Sequence, residues 1–391
     1  MIKGKNILLG VTGGIACYKA LDLCSRLKKL GANLKIIMTD SACEFVSPLS
    51  FETMGKCKVY SNMFDGHHDR VYHIDLPKWA DVFLVAPLSA NTLAKMNYGI
   101  ADNMLTASLL ACDKDIIVAP TMNTNMLKHP ATQGNLESIK KRGVHIINPS
   151  SGMLACDTKG DGRMEEPKNI VKYLEYYFTK KDLSNKKIIV SAGPTVEPID
   201  YVRYISNKSS GKMGYNIAIE AFKRGAEVKL ISGPVSPYDV SDEINKVNIR
   251  TNRELKEAID EDFYNADALI MAAAPTDYKV REASDKKIKK DGNNLYLELI
   301  ENIDILKHFG NKKGKQVLIG FAAETDDLIE NAKEKLDKKK ADYIIANDLK
   351  KKGAGFDVDT NIASVLSKDK VEKLDIMTKK ELANKILDLL V

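Results

Sequence analysis

The stretch KNILLGVTGG, residues 5–14, sets the expected fold of the first half of the chain. Its apolar residues form a short continuous run, typical of a strand buried on both faces, and two glycines end that run. From Ile15 onward apolar residues recur at helical spacing as far as Leu30, and Gly31 gives a stop signal. A buried strand, a glycine turn and a helix in this order indicate an α/β fold with a parallel sheet.

The same alternation continues to about residue 178 and then restarts. Short apolar runs at 33–40, 80–87, 114–120 and 144–149 are separated by helical patterns. KIIVSAGPT, residues 187–195, repeats the opening, and we expect later strands in AEVKLISGP, ADALIMAAAP, QVLIGFAAE, ADYIIAND and NIASVLS. Because 391 residues exceed one ordinary core, we predict two Rossmann-like α/β domains, 1–178 and 187–391, with a polar linker at 179–186.

The bulk composition excludes several classes of protein. A hydrophobic fraction of 44% allows both halves to bury cores. The net charge of +6 comes from scattered lysines, which indicates no nucleic-acid groove and fits anionic small substrates. None of the six cysteines forms a C-x-x-C pair, which argues against a zinc site or a disulfide framework. No segment has the length of a signal peptide or membrane span, so we expect a cytoplasmic protein without membrane contact.

Polar residues follow three of the expected strands in the first half. GVTGGIACYKA, MTDSA and APLSANTLAK each place glycines or small hydroxyl residues where an open parallel sheet binds ligands. The first lacks the G-x-G-x-x-G pattern of dinucleotide sites, and a tight strand-to-helix turn explains it equally well when it is taken alone. Together the three ends predict a phosphate-bearing planar cofactor, with these contact residues: Gly13, Gly14, Ile15, Thr39, Ser89, Asn91 and Thr92.

Three further residues are candidates for chemistry, and each also has an ordinary structural explanation. His73 precedes a strand and could cover the same sheet edge, although a lone histidine is more often structural. Asn123 lies in VAPTMNTNML, residues 118–127, where asparagines also suit turns. Cys156 lies in a glycine-rich run that predicts a mobile loop, where a thiol can act as a proton donor when the loop closes or be an incidental surface cysteine.

GGIACYK, HIDL, APLSANTLAK, PTMNTNM and ACDTKGDGRM occur in the order seen in flavin-dependent cysteine decarboxylases. The first half most resembles the decarboxylase half of the bifunctional phosphopantothenoylcysteine decarboxylase and phosphopantothenate–cysteine ligase family of coenzyme A biosynthesis. The resemblance implies a flavodoxin-like domain that binds FMN, which removes a hydride equivalent from the cysteinyl group so that its carboxylate can leave. It also implies that His73 is the base, Asn123 holds the carboxylate, and Cys156 supplies a proton.

The residues around Asn123 and Cys156 refine this interpretation. The resemblance implies that Met122 and Met126 pack around the substrate carboxylate. An amide can orient a carboxylate without stabilising it as strongly as a lysine would. Strong stabilisation of the carboxylate would oppose its loss as carbon dioxide. Asp157 departs from the family's usual A-C-G at this point, and an adjacent carboxylate favours the protonated thiol.

The second half contains SAGPTVEPIDYVRYISNKSSGKMG, residues 191–214. It is not a P-loop, because Ser206 replaces the first glycine and Met213 replaces the hydroxyl residue. The polar run before the helix still suits anion binding. Two groups of lysines follow, at 287, 289 and 290 and, on one helix face, at 335 and 339. Such lysines usually lie on the solvated surface.

AGPT, RYISNKSSGKMG, AAPTDY, KIKK, GFAAET and ADYIIAND resemble the ligase half of the same family. The resemblance implies that Asn207 handles an acyl-nucleotide intermediate and that Lys287 serves the second half-reaction. It places the following residues in a nucleotide site: Ala273, Asp277, Phe321, Lys335 and Lys339. It further implies that phosphopantothenate, cysteine and CTP are substrates, with Mg²⁺ as a second cofactor and metal ligands unknown. Pro275 departs from the usual A-A-V-A-D-Y and should lie just past the strand end, since proline cannot donate to a ladder.

Two other functions remain open at this stage. A two-domain NAD-dependent oxidoreductase would explain both strand–glycine–helix openings, although neither half has the G-x-G-x-x-G pattern. A non-catalytic flavoprotein that regulates a partner would explain a flavin site, although His73, Asn123 and Cys156 together favour catalysis. The family resemblance also implies a homo-oligomer with trimeric decarboxylase contacts and dimeric ligase contacts, which could build a dodecamer.

Overall fold

The structure is a computed structural model that describes residues 2–64, 70–153, 159–238, 240–290, 292, 294–324, 328–348 and 358–391. The chain divides into two compact units, residues 1–179 and 180–391. Among the described residues, no helix combines the length and the apolar character needed to cross a membrane.

The first unit alternates strands and helices along the chain. Its described strands are β1 (Asn6–Val11), β2 (Asn33–Met38), β3 (Val59–Tyr60), β4 (Val82–Leu88), β5 (Ile116–Pro120), β6 (His145–Ile146), β7 (Ser150–Met153) and β8 (Lys159–Arg163). Its described helices are α1 (Cys17–Lys29), α2 (Asp40–Phe45), α3 (Pro48–Gly55), α4 (Tyr72–Trp79), α5 (Ala90–Tyr98), α6 (Met104–Leu110), α7 (Thr124–Lys128), α8 (Pro130–Lys141) and α9 (Pro167–Phe178).

Six of these strands form one parallel sheet in the order β3-β2-β1-β4-β5-β6. Without the two-residue strand β3, this is the flavodoxin-like order, and its switch point lies between β1 and β4. Alternate residues of β1 enter different cores, since Ile7 and Leu9 pack on one face of the sheet and Leu8 on the other. Both faces are therefore covered, as a parallel sheet requires.

One prediction for this unit was wrong in detail. The glycine-rich run after residue 150 was expected to be a loop, but its described parts are two paired antiparallel strands, β7 and β8. Sequence periodicity missed them because β8, KGDGR, has almost no apolar residues.

The second unit has the same α/β alternation with additional short strands. Its described strands are β9 (Lys187–Ala192), β10 (Val196–Pro198), β11 (Tyr204–Ser206), β12 (Glu227–Ser232), β13 (Asn245–Asn248), β14 (Ala268–Met271), β15 (Tyr278–Val280), β16 (Leu299–Glu301), β17 (Val317–Glu324), β18 (Tyr343–Asp348), β19 (Thr360–Asn361), β20 (Ala363–Leu366), β21 (Val371–Lys373) and β22 (Met377–Thr378). Its described helices of four or more residues are α10 (Lys212–Lys223), α11 (Asn252–Asp260), α12 (Ile305–Lys312), α13 (Leu328–Lys339) and α14 (Lys379–Leu387).

Eight of these strands form a sheet in the order β13-β12-β9-β14-β17-β18-β20-β21. The first six are parallel, and β20 and β21 add an antiparallel edge. The switch point lies between β9 and β14, so ligands are expected beyond the carboxyl ends of these two strands. The predicted α/β architecture with two Rossmann-like units is confirmed.

Residues 180–186, which the sequence suggests as a linker, pack on the second unit. Leu183 is fully buried and its N–H donates to the carbonyl of Arg224 at 3.0 Å. The Arg224 guanidinium in turn pairs with Asp182 and Asp388. Asp182 thus takes part in an ion-pair network of the second unit around the buried Arg224.

Candidate active sites

In the first unit, the ends of β1, β2 and β4 are joined by hydrogen bonds. The hydroxyl of Thr12 donates to the carbonyl of Pro87 at 2.9 Å and accepts from the N–H of Ser89 at 2.8 Å. The N–H of Thr39 donates to the carbonyl of Val11 at 3.1 Å. The structure therefore brings together the three polar strand ends on which the cofactor prediction was based.

The glycine turn after β1 lies close to the start of α2. A Cβ atom added to Gly13 would be 2.4 Å from the Cβ of Ser41, so only glycine fits this approach. A Cβ on Gly14 would meet no atom within 4 Å, which places that residue beside open space. Gly13, Gly14 and the exposed Ile15 immediately precede α1, where the positive end of the helix dipole favours an anion. The turn thus fits a phosphate group.

The other predicted cofactor residues belong to helix N-termini at the same edge. Ser89 caps α5 by accepting from the N–H of Thr92 at 3.3 Å, and Thr39 caps α2 by accepting from that of Ala42. Asn91 is exposed in the first turn of α5. These caps explain why small hydroxyl residues follow the strands, and they also hold polar groups around the open space.

Asn123 follows β5 and is the N-cap of the short helix α7. Its side-chain oxygen accepts from the N–H of Asn125 at 2.8 Å, which fixes the orientation of the amide. The amide NH₂ is then the half of this exposed side chain suited to an anion. Met122 is half-buried against the core, whereas Met126 is half-exposed.

The β7–β8 hairpin is docked on this Asn123 loop. The Gly162 carbonyl accepts from the N–H of Met122 at 3.0 Å and from the hydroxyl of Thr121 at 3.1 Å. The Asp161 carbonyl accepts from the hydroxyl of Thr124 at 2.7 Å. Sequence reasoning did not foresee this contact, because the residues involved are about 40 positions apart.

Cys156 and Asp157 lie between β7 and β8, outside the described residues. Of the described strands on either side, β8 contacts the Asn123 loop. The roles of Cys156 and Asp157 therefore stay predictions.

His73 lies in the first turn of α4 and is half-buried. The ring of the preceding residue, Tyr72, packs 5.0 Å from that of Tyr60, at the carboxyl end of β3. Because α4 leads directly into the amino end of β4, its first turn must lie towards the carboxyl edge of the sheet. His73 is therefore at the same edge as the glycine turn.

Lys19 is a buried cation near this site that the sequence analysis missed. Its Nζ donates to the carbonyl of Met164 at 2.9 Å and to a carboxylate oxygen of Glu166 at 2.7 Å. The hydrogen bond from Lys19 holds the pKa of Glu166 below its usual value. This pair ties the first turn of α1 to the chain segment that leaves the hairpin. Its residues are almost 150 positions apart, so no local pattern could reveal it.

A cavity of about 520 Å³ lies at the carboxyl edge of the sheet in the second unit. Its walls come from the loop before α10, the loop after β14, the start of α12, and side chains on β17 and α13. Six of the seven residues predicted for the ligase site line it: Asn207, Ala273, Asp277, Phe321, Lys335 and Lys339.

The loop after β14 is held at several points along the cavity. Asn207 donates from its amide to the carbonyl of Pro275 at 2.8 Å. The hydroxyl of the buried Ser191 accepts from the N–H of Ala273 at 3.2 Å. Because β14 ends at Met271, Pro275 lies past the strand end, as predicted.

Gly214 allows α10 to pack close to β9. A Cβ on this residue would be 2.6 Å from the Cβ of Ala192 and 2.7 Å from the carbonyl oxygen of Ser191. Glycine is therefore required for the start of α10 to lie this close to the end of β9.

Cations dominate the charge of the cavity wall. Five lysines line it, at positions 208, 212, 335, 339 and 379. Lys339 pairs with Asp304, and Lys212 pairs with Asp359 at 2.7 Å, which lowers the pKa of that carboxyl group. Such a wall suits a polyanion such as a nucleoside triphosphate.

Several cavity residues were not predicted from the sequence. Lys379 is 4% exposed and Asn361 is 3% exposed, and the amide of Asn361 donates to that of Asn347 at 3.1 Å. The T-K-K-E pattern at 378–381 indicates a capped helix start, which the structure has, but gives no sign of a cavity.

Lys287 does not line the cavity and is exposed to solvent. The neighbouring Ile288 is held by the ion pair between the buried Asp200 and the exposed Arg203. Its N–H donates to Asp200 at 3.0 Å, and its carbonyl accepts from Arg203 at 3.1 Å. The Arg203 guanidinium, with added backbone N–H donors, holds the pKa of Asp200 well below its usual range. The segment that carries Lys287 is thus anchored one residue away from it.

Two family models match the chain. One described as Flavoprotein matches residues 1–178, and one described as DNA/pantothenate metabolism flavoprotein C-terminal domain matches residues 183–391. The chain is 44% identical over 392 residues to the Coenzyme A biosynthesis bifunctional protein CoaBC of Bacillus subtilis (strain 168), a match that covers 99% of this chain and 97% of that protein.

Two further proteins are similar. A cysteine/cysteine sulfinic acid decarboxylase from an unknown prokaryotic organism is 43% identical over 350 residues, which cover 88% of this chain and 98% of that protein. The crystal structure of the C-terminal domain of a Coenzyme A biosynthesis bifunctional protein CoaBC is 39% identical with a TM-score of 0.46, and the match covers 53% of this chain and 95% of that one.

Proposed function

The chain belongs to the family of coenzyme A biosynthesis bifunctional proteins, and from this membership we propose that it catalyses two consecutive reactions. The second unit joins cysteine to phosphopantothenate at the expense of CTP, with release of CMP and pyrophosphate. The first unit then decarboxylates the phosphopantothenoylcysteine to phosphopantetheine. The product of one unit is the substrate of the other, which accounts for their presence in one chain.

The observation that supports the ligase reaction best is the cavity of the second unit. Residues predicted from the family resemblance, which are spread from Asn207 to Lys339 in the sequence, line one concave surface. Its lysines would offset the charge of a triphosphate. The phosphopantothenate carboxylate would attack the α-phosphate and expel pyrophosphate, and the cysteine amine would then attack the acyl carbon and expel CMP.

Within this cavity each predicted residue has a distinct part. Asn207, fixed by its bond to Pro275, would orient the acyl-nucleotide intermediate. Lys335 and Lys339, on one face of α13, would contact the phosphates. Lys287, next to the Ile288 backbone that Asp200 and Arg203 hold, would act in the second half-reaction. Mg²⁺ would accompany CTP, since it usually binds through one or two carboxylates together with substrate phosphates.

In the first unit, FMN is the proposed cofactor. The turn at Gly13 and Gly14 with the N-termini of α1 and α5 would hold it, and when bound it would supply two-electron redox chemistry that the side chains cannot. Asn123 would orient the substrate carboxylate through its amide NH₂. His73 would accept a proton at the same sheet edge. The proposed proton donor is Cys156, which follows β7 and precedes β8 in the sequence.

We also propose that the protein is a homo-oligomer that acts in the cytoplasm. The first units would contact one another as trimers and the second units as dimers, and together these contacts would build a dodecamer. Exposed apolar side chains support subunit contacts in the first unit at Ile15, Tyr18 and Leu49, and in the second at Tyr201 and Tyr296. Buried free thiols such as Cys17 and Cys24 fit a reducing compartment.

The experiment that tests the proposed function is mass spectrometry of the products formed from phosphopantothenate, cysteine, Mg²⁺ and CTP, with ATP in a parallel reaction. We expect phosphopantetheine and CMP with CTP. A second reaction supplies phosphopantothenoylcysteine or free cysteine directly, which separates the proposed decarboxylation from that of the relative named for free cysteine. No nucleotide consumption would contradict the ligase assignment, and release of carbon dioxide from free cysteine alone would contradict the proposed decarboxylase substrate.

Substitution of His73 distinguishes catalysis from a purely regulatory flavoprotein. His73→Gln should abolish decarboxylation of supplied phosphopantothenoylcysteine while FMN absorbance and ligase activity stay unchanged. Unchanged decarboxylation would contradict the proposed role of His73, and the absence of decarboxylation in the unsubstituted protein would favour a binding role.

A further inference from the structure

Asn252, which no prediction above includes, is a buried junction behind the nucleotide cavity. The residue is 1% exposed at the start of α11. Its side-chain oxygen accepts from the hydroxyl of Thr195 at 2.6 Å, and its amide NH₂ donates to the carbonyl of Thr276 at 2.9 Å. Its backbone N–H donates to the carboxylate of Glu197 at 2.9 Å. One side chain thus joins the loop after β9 to the loop after β14.

Thr195 extends this junction to both sides of the cavity. Its hydroxyl also accepts from the N–H of Thr276 at 3.0 Å, so the peptide groups on both sides of Thr276 are bound. Its carbonyl accepts from the hydroxyl of Ser206 at 2.8 Å. Thr195 is fully buried and Thr276 is 3% exposed, so these groups have no access to bulk water as alternative partners.

The junction acts on Asn207 from two directions. Ser206, which is bound to Thr195, directly precedes Asn207 in the chain. Pro275, whose carbonyl accepts from the amide of Asn207, directly precedes Thr276. The donor and acceptor of the Asn207–Pro275 hydrogen bond are therefore each one residue away from a group held by the junction.

We propose that Asn252 and Thr195 are positioning residues for the ligase reaction: they fix the loop at 272–277 and Asn207 as one preorganised unit. The inference rests on the proposed ligase function, because the geometry of Asn207 matters only if it handles the intermediate. Neither residue is among the described residues that line the cavity, so neither is placed to contact a nucleotide bound there. Asn252 and Thr195 hold the orientation of Asn207 and the 272–277 loop. Small errors in the orientation of reacting groups strongly reduce the rate of reaction of a bound substrate.

The principal variants are Asn252→Ala and Thr195→Val, with Thr195→Ser as the conservative variant that keeps the hydroxyl. Asn245→Ala replaces an exposed asparagine of the same unit and is the matched control. In the full chain, Asn252→Ala and Thr195→Val should each lower kcat/KM for CTP roughly tenfold, as expected for the loss of a buried hydrogen bond. Amide formation should fall more than pyrophosphate release, and Thr195→Ser should restore most of both.

Decarboxylation of supplied phosphopantothenoylcysteine is the internal control, since it uses the first unit and should be unchanged in all four variants. A double variant with Asn207→Ala separates positioning from general destabilisation. If Asn252 acts through Asn207, the double variant loses little more than Asn207→Ala alone. Multiplicative losses in the double variant, or equal losses of pyrophosphate release and amide formation, would overturn the proposal.

Hydrogen exchange of the peptide that covers 272–278 tests the junction without turnover. In the protein without nucleotide, this peptide should exchange at least several-fold faster in Asn252→Ala than in Asn245→Ala. The carbonyl of Thr276 loses its donor, and the Thr195 hydroxyl that accepts from the Thr276 N–H loses the acceptor that orients it. Unchanged exchange would overturn the proposal even if activity falls. If the unsubstituted protein consumes no CTP, the proposed function fails, whereas the exchange result still decides whether the junction holds the loop.

Discussion

The carbonyl oxygen of Gly162 accepts a hydrogen bond from the N–H of Met122 at 3.0 Å, which docks the β7–β8 hairpin on the loop that carries Asn123. The approach is so close that a Cβ on Gly162 would be 2.2 Å from the Met122 carbonyl oxygen. The φ of Gly162 is +122°, a conformation that favours glycine. The hairpin base and the Asn123 loop therefore form one unit.

Gly162→Ala should displace the hairpin from the Asn123 loop. Steric overlap together with an unfavourable φ costs about 1–3 kcal/mol, which would lower decarboxylase kcat about 10-fold or more while ligase activity stays unchanged. Gly134→Ala, in α8 with no atom within 4 Å of the added Cβ, is the matched control and should be neutral or slightly stabilising. Steady-state rates of both reactions check this, and full decarboxylase activity in Gly162→Ala would show that docking is dispensable.

The Lys19–Glu166 pair should make stability of the first unit depend on pH in the acidic range. Because the pKa of Glu166 is lowered in the folded state, its contribution is present above the unfolded pKa of about 4.3 and is lost as pH falls through the folded pKa. Lys19→Met should lower the unfolding temperature at pH 7 and flatten its decline below about pH 5. Lys29→Met, an exposed lysine on the same helix, is the control. Parallel pH curves for Lys19→Met and the unsubstituted protein would exclude this role.

Lys339 faces the cavity and pairs with Asp304, whereas its neighbour Lys338 is exposed and pairs with Glu334 on the same helix. Lys339→Gln should raise KM for CTP about tenfold, since one phosphate-facing charge is lost. Lys338→Gln should change it less than twofold, because exposed ion pairs contribute about 0–1 kcal/mol. Initial rates against CTP concentration give both values. Equal effects of the two substitutions would mean that only net charge matters.

Asp200 holds the segment that carries Lys287 through the N–H of Ile288. Asp200→Asn removes the charge that pairs with Arg203 and should loosen this segment. If Lys287 serves the second half-reaction, amide formation should slow more than pyrophosphate release. Asp285→Asn, an exposed carboxylate in the same segment, is the control. Rapid-quench analysis of the intermediate measures the ratio, and equal slowing of the two steps would contradict the assignment.

The thiols of the buried Cys24 and the partly buried Cys57 should react slowly with alkylating reagents. Burial raises the pKa of Cys24 to about 12 and that of Cys57 to about 11, so little thiolate is present at pH 8. Peptide mass spectrometry after iodoacetamide treatment should find both residues mostly unmodified in the native protein and fully modified after unfolding in urea. Rapid native labelling of Cys24 would indicate that α1 opens readily.

Much of the fold follows from local patterns. Apolar runs such as that of residues 5–11 and the glycines after them predict buried parallel strands and their turns, and the structure places β1 at Asn6–Val11. The same patterns missed the β7–β8 hairpin and the two-residue strand β3, because so few apolar residues give no periodic signal. The predicted site roles of His73, Asn123 and Asn207 came from motif order, and they stay predictions.

The sequence by itself determined the α/β class, the restart near residue 187, and the residue types that meet at the sheet edges, because strand and helix periodicity and strand-end glycines are local properties. Only the tertiary structure decided that Lys19 pairs with Glu166, that Gly162 docks on Met122, and that Asn252 lies behind Thr276. These contacts join residues from 24 to 147 positions apart. No spacing rule connects such residues, since their proximity arises only when the strands and helices pack.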